Sequence, residues 1–179
     1  LAGIWVAKYE MSMETNAVAT ETTESNGNVL TSSTVKAVSK PGVTAWRYID
    51  VNNIFINALN YDTTSINNAS LDSHLMKNSE GGAVAYLAHS KYGRNGTEIT
   101  INSNTSYNTA GGSGAKAYTN TLQSTTGNCY GVYDTRGGSW DQVATYMGEP
   151  NTTLDATTNP YLNGKSLVNA ESKYKDIYD

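Results

Sequence analysis

Glycine and aromatic residues interleave more densely in residues 126–143 than anywhere else in the chain. Aromatic rings fall at Tyr130, Tyr133 and Trp140, and glycines at Gly127, Gly131, Gly137 and Gly138. Adjacent glycines allow a positive φ or a close approach of two backbones. An apolar pair, Val132 and Tyr133, precedes the glycine pair, and a strand-like stretch from Trp140 to Val143 follows it. The pattern reads as strand, glycine turn, strand. A large aromatic just past such a turn can cover a core while the turn stays at the surface. The signal is structural and does not point to catalysis.

The same stretch carries a resemblance. Gly131-Val132-Tyr133-Asp134, followed by Gly137-Gly138-Ser139-Trp140-Asp141, resembles the glycine- and aromatic-rich segment of formylglycine-generating-enzyme-like domains, a branch of the C-type lectin fold. Ile4-Trp5-Val6-Ala7-Lys8-Tyr9-Glu10 resembles that family's opening strand. Leu75-Met76-Lys77-Asn78-Ser79-Glu80, running on to Tyr86, resembles its second helix. The chain is more similar still to extracellular domains of this type from gut-dwelling Gram-positive bacteria, which often follow a prepilin-like N-terminus. The resemblance implies one α+β, C-type-lectin-like domain over residues 1–179. Two helices would flank short, mostly antiparallel strands joined by long loops. The family normally continues with further C-terminal strands that this sequence is expected to lack, as a fragment, as a chain completed by another or as a trimmed variant; the resemblance also implies an extracellular or cell-surface location.

At 179 residues the chain is long enough for one domain with a real core. Asn, Ser and Thr supply about a third of it, and Tyr outnumbers Phe 13 to 1. Tyrosine keeps a polar handle and suits wet, ligand-facing surfaces, though it can equally replace Phe in a loop-rich core. The net charge is −4 and the pI is near 5.1. Basic residues form no stripe, so binding through phosphate neutralisation is not expected. No apolar run reaches the ~18 residues of a membrane helix. Beginning at Leu1, the sequence reads as that of a processed product or a fragment.

In chain order, residues 4–10 read as a central strand, apolar on both faces. Residues 12–33 read as a loop excursion. A short strand is expected at 35–38, closed by the turn Lys40-Pro41-Gly42. Asp50 then caps a helix whose apolar stripe is Val51, Ile54, Phe55, Ala58 and Leu59. Asn60 to Asp62 ends it, and Trp46 is expected to reach the core beside that stripe. Residues 63–72 read as a polar connector. A second helix is expected over 78–90, burying Ala83, Val84, Leu87 and Ala88 and ending at Gly93. Residues 98–101 alternate like a strand, and 102–126 read as a long polar loop of the kind that is functional or mobile. The C-terminal stretch from 148 is polar again and shows no closing strand.

No residue is assigned a catalytic role. Cys129 is the sole cysteine; it has no neighbouring base or cation to activate it, and reads as a small buried residue. The family's enzymes use a cysteine pair that binds copper, and this chain lacks one. His74 and His89 lie outside any metal-ligand spacing and read as surface or capping residues. Calcium enters only through the resemblance. Asp134 and Asp141 are the available carboxylates, but Gly138 stands where the family has an Asn ligand. The competing reading makes Asp134 a turn residue and Asp141 an exposed one. Tyr130, Arg136 and Trp140 are the expected ligand contacts. No cofactor is required, and the partner would be a glycan or a protein. Three functions are weighed: a non-catalytic surface module resembling an adhesin or pilus-associated domain, a structural subunit of a filament or phage particle, and an oxidase, which the missing cysteines oppose.

Overall fold

The computed structural model describes residues 3–15, 36–112, 114, 119–147 and 164–178. Within them the chain is mixed α and β, with helices outweighing small sheets. The strands are β1 (Met11–Met13), β2 (Ala37–Ser39), β3 (Thr145–Met147) and β4 (Asp176–Tyr178); the helices are α1 (Val51–Leu59), α2 (Tyr61–Thr64), α3 (Asn78–His89) and α4 (Lys165–Asn169). β1 pairs with β2, and β3 with β4. The described residues form two compact units. The first holds 3–15, 38–46 and the described part of 83–140; the second holds 36–37, 47–82, 141–147 and 164–178.

The second unit is built on hydrocarbon. Asp50 caps α1 as expected, its carboxylate accepting from Asn53 N at 2.7 Å, and Asn60 closes the helix. Phe55 is fully buried against Ala144 and Leu167, with Val51, Leu59, Leu75, Ala170 and Tyr174 packed around them. Of the expected apolar stripe of α1 only Phe55 is fully inside; Val51, Ile54, Ala58 and Leu59 are half-buried, while Asn53 and Asn57 are buried, and Asn57 Nδ2 donates to Asn53 O at 2.9 Å. The 63–72 connector contains the end of α2 and a 3₁₀ turn, Ala69–Leu71. The expectation of no closing strand is corrected: β4 pairs with β3, in parallel, with Tyr146 opposite Ile177. Mostly antiparallel pairing is therefore not what this unit uses. Tyr161 and Leu162 lie outside the described residues.

The first unit is built on buried polar groups. Its apolar cluster is small: Tyr9, Ala110 and Tyr133. Around it lie buried Ser12, Asn102, Asn108, Thr109, Gln123, Ser124, Thr125 and Asp134. Such groups are stable inside chiefly when hydrogen-bonded, and long-range partners supply many of the bonds, although the buried Ser12 hydroxyl has none. Thr109 Oγ1 donates to Lys40 O at 2.6 Å, and Thr109 N to Val43 O at 2.9 Å. Thr44 Oγ1 donates to Asn108 Oδ1 at 3.1 Å. The 102–126 stretch, read as a long polar loop, thus supplies most of the buried polar residues of this unit. Residues 113 and 115–118 within it, and most of the 12–33 excursion, lie outside the described residues.

Several local expectations in this unit are corrected. Residues 4–10 are not a strand. The backbone of Lys8 accepts from Tyr133 N, and Tyr9 N donates to the Ser39 hydroxyl, so no ladder forms. The pairing segment lies just downstream, in β1. The 35–38 strand is shifted to Ala37–Ser39, and the turn after it places Gly42 at φ 70°. Residues 98–101 form no strand, because Thr100 N bonds to Leu122 O and only Ile99 turns inward. Helix α3 falls where expected, but of its proposed buried face only Ala88 is inside; Ala83 and Leu87 are exposed. Gly93 follows it for a steric reason, since a Cβ there would lie 2.3 Å from Ala88 O. Trp46 is half-buried, and its ring N–H has no hydrogen-bond partner.

Candidate functional site

The stretch 126–143 contains no strand before Thr145; it is a run of turns pinned to two other segments. Asn102 is the chief anchor. Its backbone N donates to Arg136 O at 2.8 Å, and its carbonyl accepts from Gly138 N at 2.9 Å. That forms a single parallel bridge with Gly137. Gly137 has φ 81°, and a Cβ on it would sit 2.3 Å from Asn102 O, so both the conformation and the approach require glycine. Gly138 follows at φ 77°, against the Glu10 carboxylate.

The Asn102 side chain continues the network inward. Nδ2 donates to Asp134 Oδ1 at 2.9 Å and to Asn108 O at 3.0 Å, while Oδ1 accepts from Asn104 N at 3.1 Å. Asp134, buried at φ 63°, also accepts from Ala110 N at 3.0 Å on both carboxylate oxygens. Burial pushes its carboxyl above the ordinary range, and the Ala110 and Asn102 donors oppose that rise. Tyr9 and Tyr133 stack beside it with centroids 5.2 Å apart. Burial, reinforced by Tyr133, Asp134 and Cys129, pushes the Tyr9 phenol up to about 12.

This arrangement tests the calcium expectation. Calcium takes six or more oxygens. The Asp134 carboxylate faces N–H donors in the interior, Asp141 is exposed, and Gly138 offers no side chain. Among the described residues no group of three or more His, Cys, Asp or Glu converges. The residues present at Asp134 do not fit a calcium ion. Cys129 is half-buried. His74 lies in the second unit with Nε2 3.1 Å from both Glu80 oxygens, and His89 is exposed.

The outward face of the same turns is aromatic. Trp5 is 100% exposed, Trp140 93% and Tyr130 86%. Trp140 therefore does not cover a core, contrary to the expectation for a ring after a glycine turn. Inward packing there is taken by Tyr133. Tyr130 and Trp140 each adjoin a residue tied to one short N-terminal segment, which also carries Trp5. The Lys8 ammonium bonds to the carbonyl of Cys129, the neighbour of Tyr130. The Glu10 carboxylate accepts from Ser139 N, the neighbour of Trp140, at 3.0 Å. Trp5 precedes Lys8 by three residues, a span of at most about 11 Å. Beside Tyr130, Asn128 Oδ1 accepts from Tyr130 N at 2.9 Å and from the Thr126 hydroxyl at 2.8 Å.

Of the expected contact residues, Tyr130 and Trp140 are presented to solvent. Arg136 pairs with Glu98 and donates to Ile99 O at 3.1 Å, so its guanidinium is engaged within the unit. Trp5 was missed because apolar alternation placed it in a buried strand. The signal that could have found it is the lack of a second, complementary strand pattern nearby. The chain matches no protein-family model, and no curated protein or solved structure is significantly similar to it.

Proposed function

We propose that this chain is a non-catalytic, extracellular ligand-binding or display domain of C-type-lectin-like type, an adhesin-like or pilus-associated surface module. The observation that carries it is the pair of exposed rings, Tyr130 and Trp140, whose chain neighbours Cys129 and Ser139 are tied by hydrogen bonds to Lys8 and Glu10. Scattered exposed apolar residues are ordinary on any surface. Bare indoles beside anchored turns are less so, because their apolar surface stays in water and forgoes the stabilisation that burial would give. Loops on a fixed frame are where binding residues concentrate. A lone, half-buried cysteine supports a non-catalytic role, since the family's oxidation chemistry uses two. The partner is a glycan or a protein. No helix among the described residues is long and apolar enough to cross a membrane.

Filament assembly is the second reading. It is favoured by the exposed Met147, Ile177 and Tyr178 on the two-stranded β3–β4 sheet, which suits edge pairing. Sedimentation equilibrium at micromolar concentration separates the two. A single species near 19.2 kDa, with saturable binding to immobilised gastrointestinal mucin, is the expected result. A concentration-dependent polymer would put the filament reading first.

A further inference from the structure

We infer that the turn closing helix α3 is a docking surface for an acidic polypeptide segment, with Arg94 receiving its carboxylate; this rests on the binding-module reading. The turn is tightly closed. Arg94 N donates to Ala88 O at 2.6 Å, Gly93 N and Asn95 N to Ser90 O at 3.0 Å, and Gly96 N to His89 O at 3.1 Å. Lys91, Tyr92 and Arg94 therefore project from backbone positions at most about 11 Å apart. Lys91 and Tyr92 are exposed, and the Lys91 ammonium sits 5.0 Å from the Tyr92 ring centroid. The half-buried Arg94 packs its guanidinium on a second turn of the same unit: a Cβ on Gly127 would lie 2.8 Å from Nη1. Asn128, exposed, follows Gly127 directly.

Arg94 has no counter-charge. Of its five guanidinium N–H donors, one meets a protein acceptor, Glu98 O, at a long 3.4 Å, and Nε is buried without a partner. The Glu98 carboxylate is taken by Arg136, and the Asp134 carboxylate is buried against Ala110 N and Asn102. A half-buried cation left unpaired forgoes the attraction that offsets its desolvation. A carboxylate arriving from outside restores it, and Nη1 and Nη2 can clasp both its oxygens at once. The chain carries a net charge of −4, yet residues 81–97 contain no acid. An acidic partner is therefore repelled by most of the chain and steered to this turn. The neighbouring side chains favour a polypeptide over a free anion. Tyr86 and Leu87, on the part of α3 that leads into Lys91, are exposed. Tyr and Arg are enriched in protein interfaces, and Leu87 offers contact to an apolar side chain but nothing to an isolated anion.

The test is fluorescence anisotropy with labelled peptides that alternate glutamate and phenylalanine, beside versions with glutamine or lysine in place of glutamate. Heparin and phosphatidylserine vesicles are run as other anionic probes, and mucin binding is measured on the same protein. Expected are saturable binding to the glutamate peptide alone among the three, weakening as salt is added. Arg94→Gln should bind at least about tenfold more weakly, through loss of a charged, two-pronged contact, and Arg94→Lys should recover only part of it. Tyr92→Ala should weaken binding about threefold. Lys36→Gln, the same charge change in the second unit, should leave it unchanged. Circular dichroism and thermal melting check that each variant folds; if Arg94→Gln does not, Lys91→Glu at an exposed position carries the test, with at least about fivefold weaker binding expected. Peptide binding indifferent to Arg94 and Lys91 would overturn the site. Tighter binding to heparin or the vesicles than to the glutamate peptide would overturn the polypeptide assignment. No peptide binding with mucin still bound would overturn the acidic partner and keep the module. Binding to no probe would overturn the module as well.

Discussion

Replacing Asn102 with alanine is expected to destabilise the protein by about 3 kcal/mol, the sum of one hydrogen bond to a carboxylate and two neutral ones lost from a buried site. The loss is concentrated because one side chain serves three partners: Asp134, Asn108 O and Asn104 N. Removing it takes one donor from the Asp134 carboxylate and leaves Ala110 N in place. Urea unfolding at neutral pH measures the change; a loss under about 1 kcal/mol would mean that water replaces the amide freely. Asn102→Asp sharpens the test through pH. Two carboxylates in hydrogen-bond contact cannot both ionise cheaply, so the folded pair holds a proton that the unfolded chain releases. The folded pKa then lies above the unfolded one. The stabilising contribution is whole below the ordinary carboxylate range, about pH 4, and is lost as pH rises through the folded value. The variant should therefore weaken steadily on going from acid to neutral pH. Wild type carries a smaller slope of the same sign from Asp134, whose carboxyl burial already raises.

Phe55→Ala is expected to cost about 4 kcal/mol, through lost transfer energy and the cavity left behind. Phe55 is the one large side chain fully inside the hydrocarbon cluster of the second unit, and Ala144 and Leu167 are too small to refill its volume. Phe55→Leu keeps most of the apolar contact and should cost about 1–2 kcal/mol. Equal losses for both variants would show that ring shape, rather than buried volume, holds the cluster.

These two residues mark how far the sequence could be read. Phe55 sits on an amphipathic stripe with an acidic cap, and local periodicity alone places it inside. Helix α3 and the turns at Gly42 and Gly137 were legible for similar reasons: capping, glycine and proline chemistry act within a few residues. Asn102 was not legible. It lies in a polar run with no periodicity, and its burial depends on Asp134, 32 residues away. The strands expected at 4–10 and 98–101 failed for the converse reason. Their alternation is real, but their backbones bond to turns and side chains, and Ile4, Trp5 and Ile101 stay outside. Of the outward rings, Tyr130 and Trp140 stood out by composition. Trp5 did not, because a pattern of two apolar faces argues for burial unless the covering partners are known.

Filling an interior with amides and hydroxyls also sets how that interior responds to temperature. Exposing apolar surface raises heat capacity by about 0.45 cal/K/mol per Å², whereas exposing polar surface lowers it by about 0.26. Unfolding the first unit uncovers Asn102, Asn108, Thr109, Gln123, Ser124 and Thr125 along with Tyr9, Tyr133 and a few aliphatic side chains such as Met13 and Ile99. The two contributions offset, so the heat-capacity increment per residue is small. Its free-energy curve is then shallow and broad, and cooling removes little of what holds the turns beneath Trp5, Tyr130 and Trp140 in place.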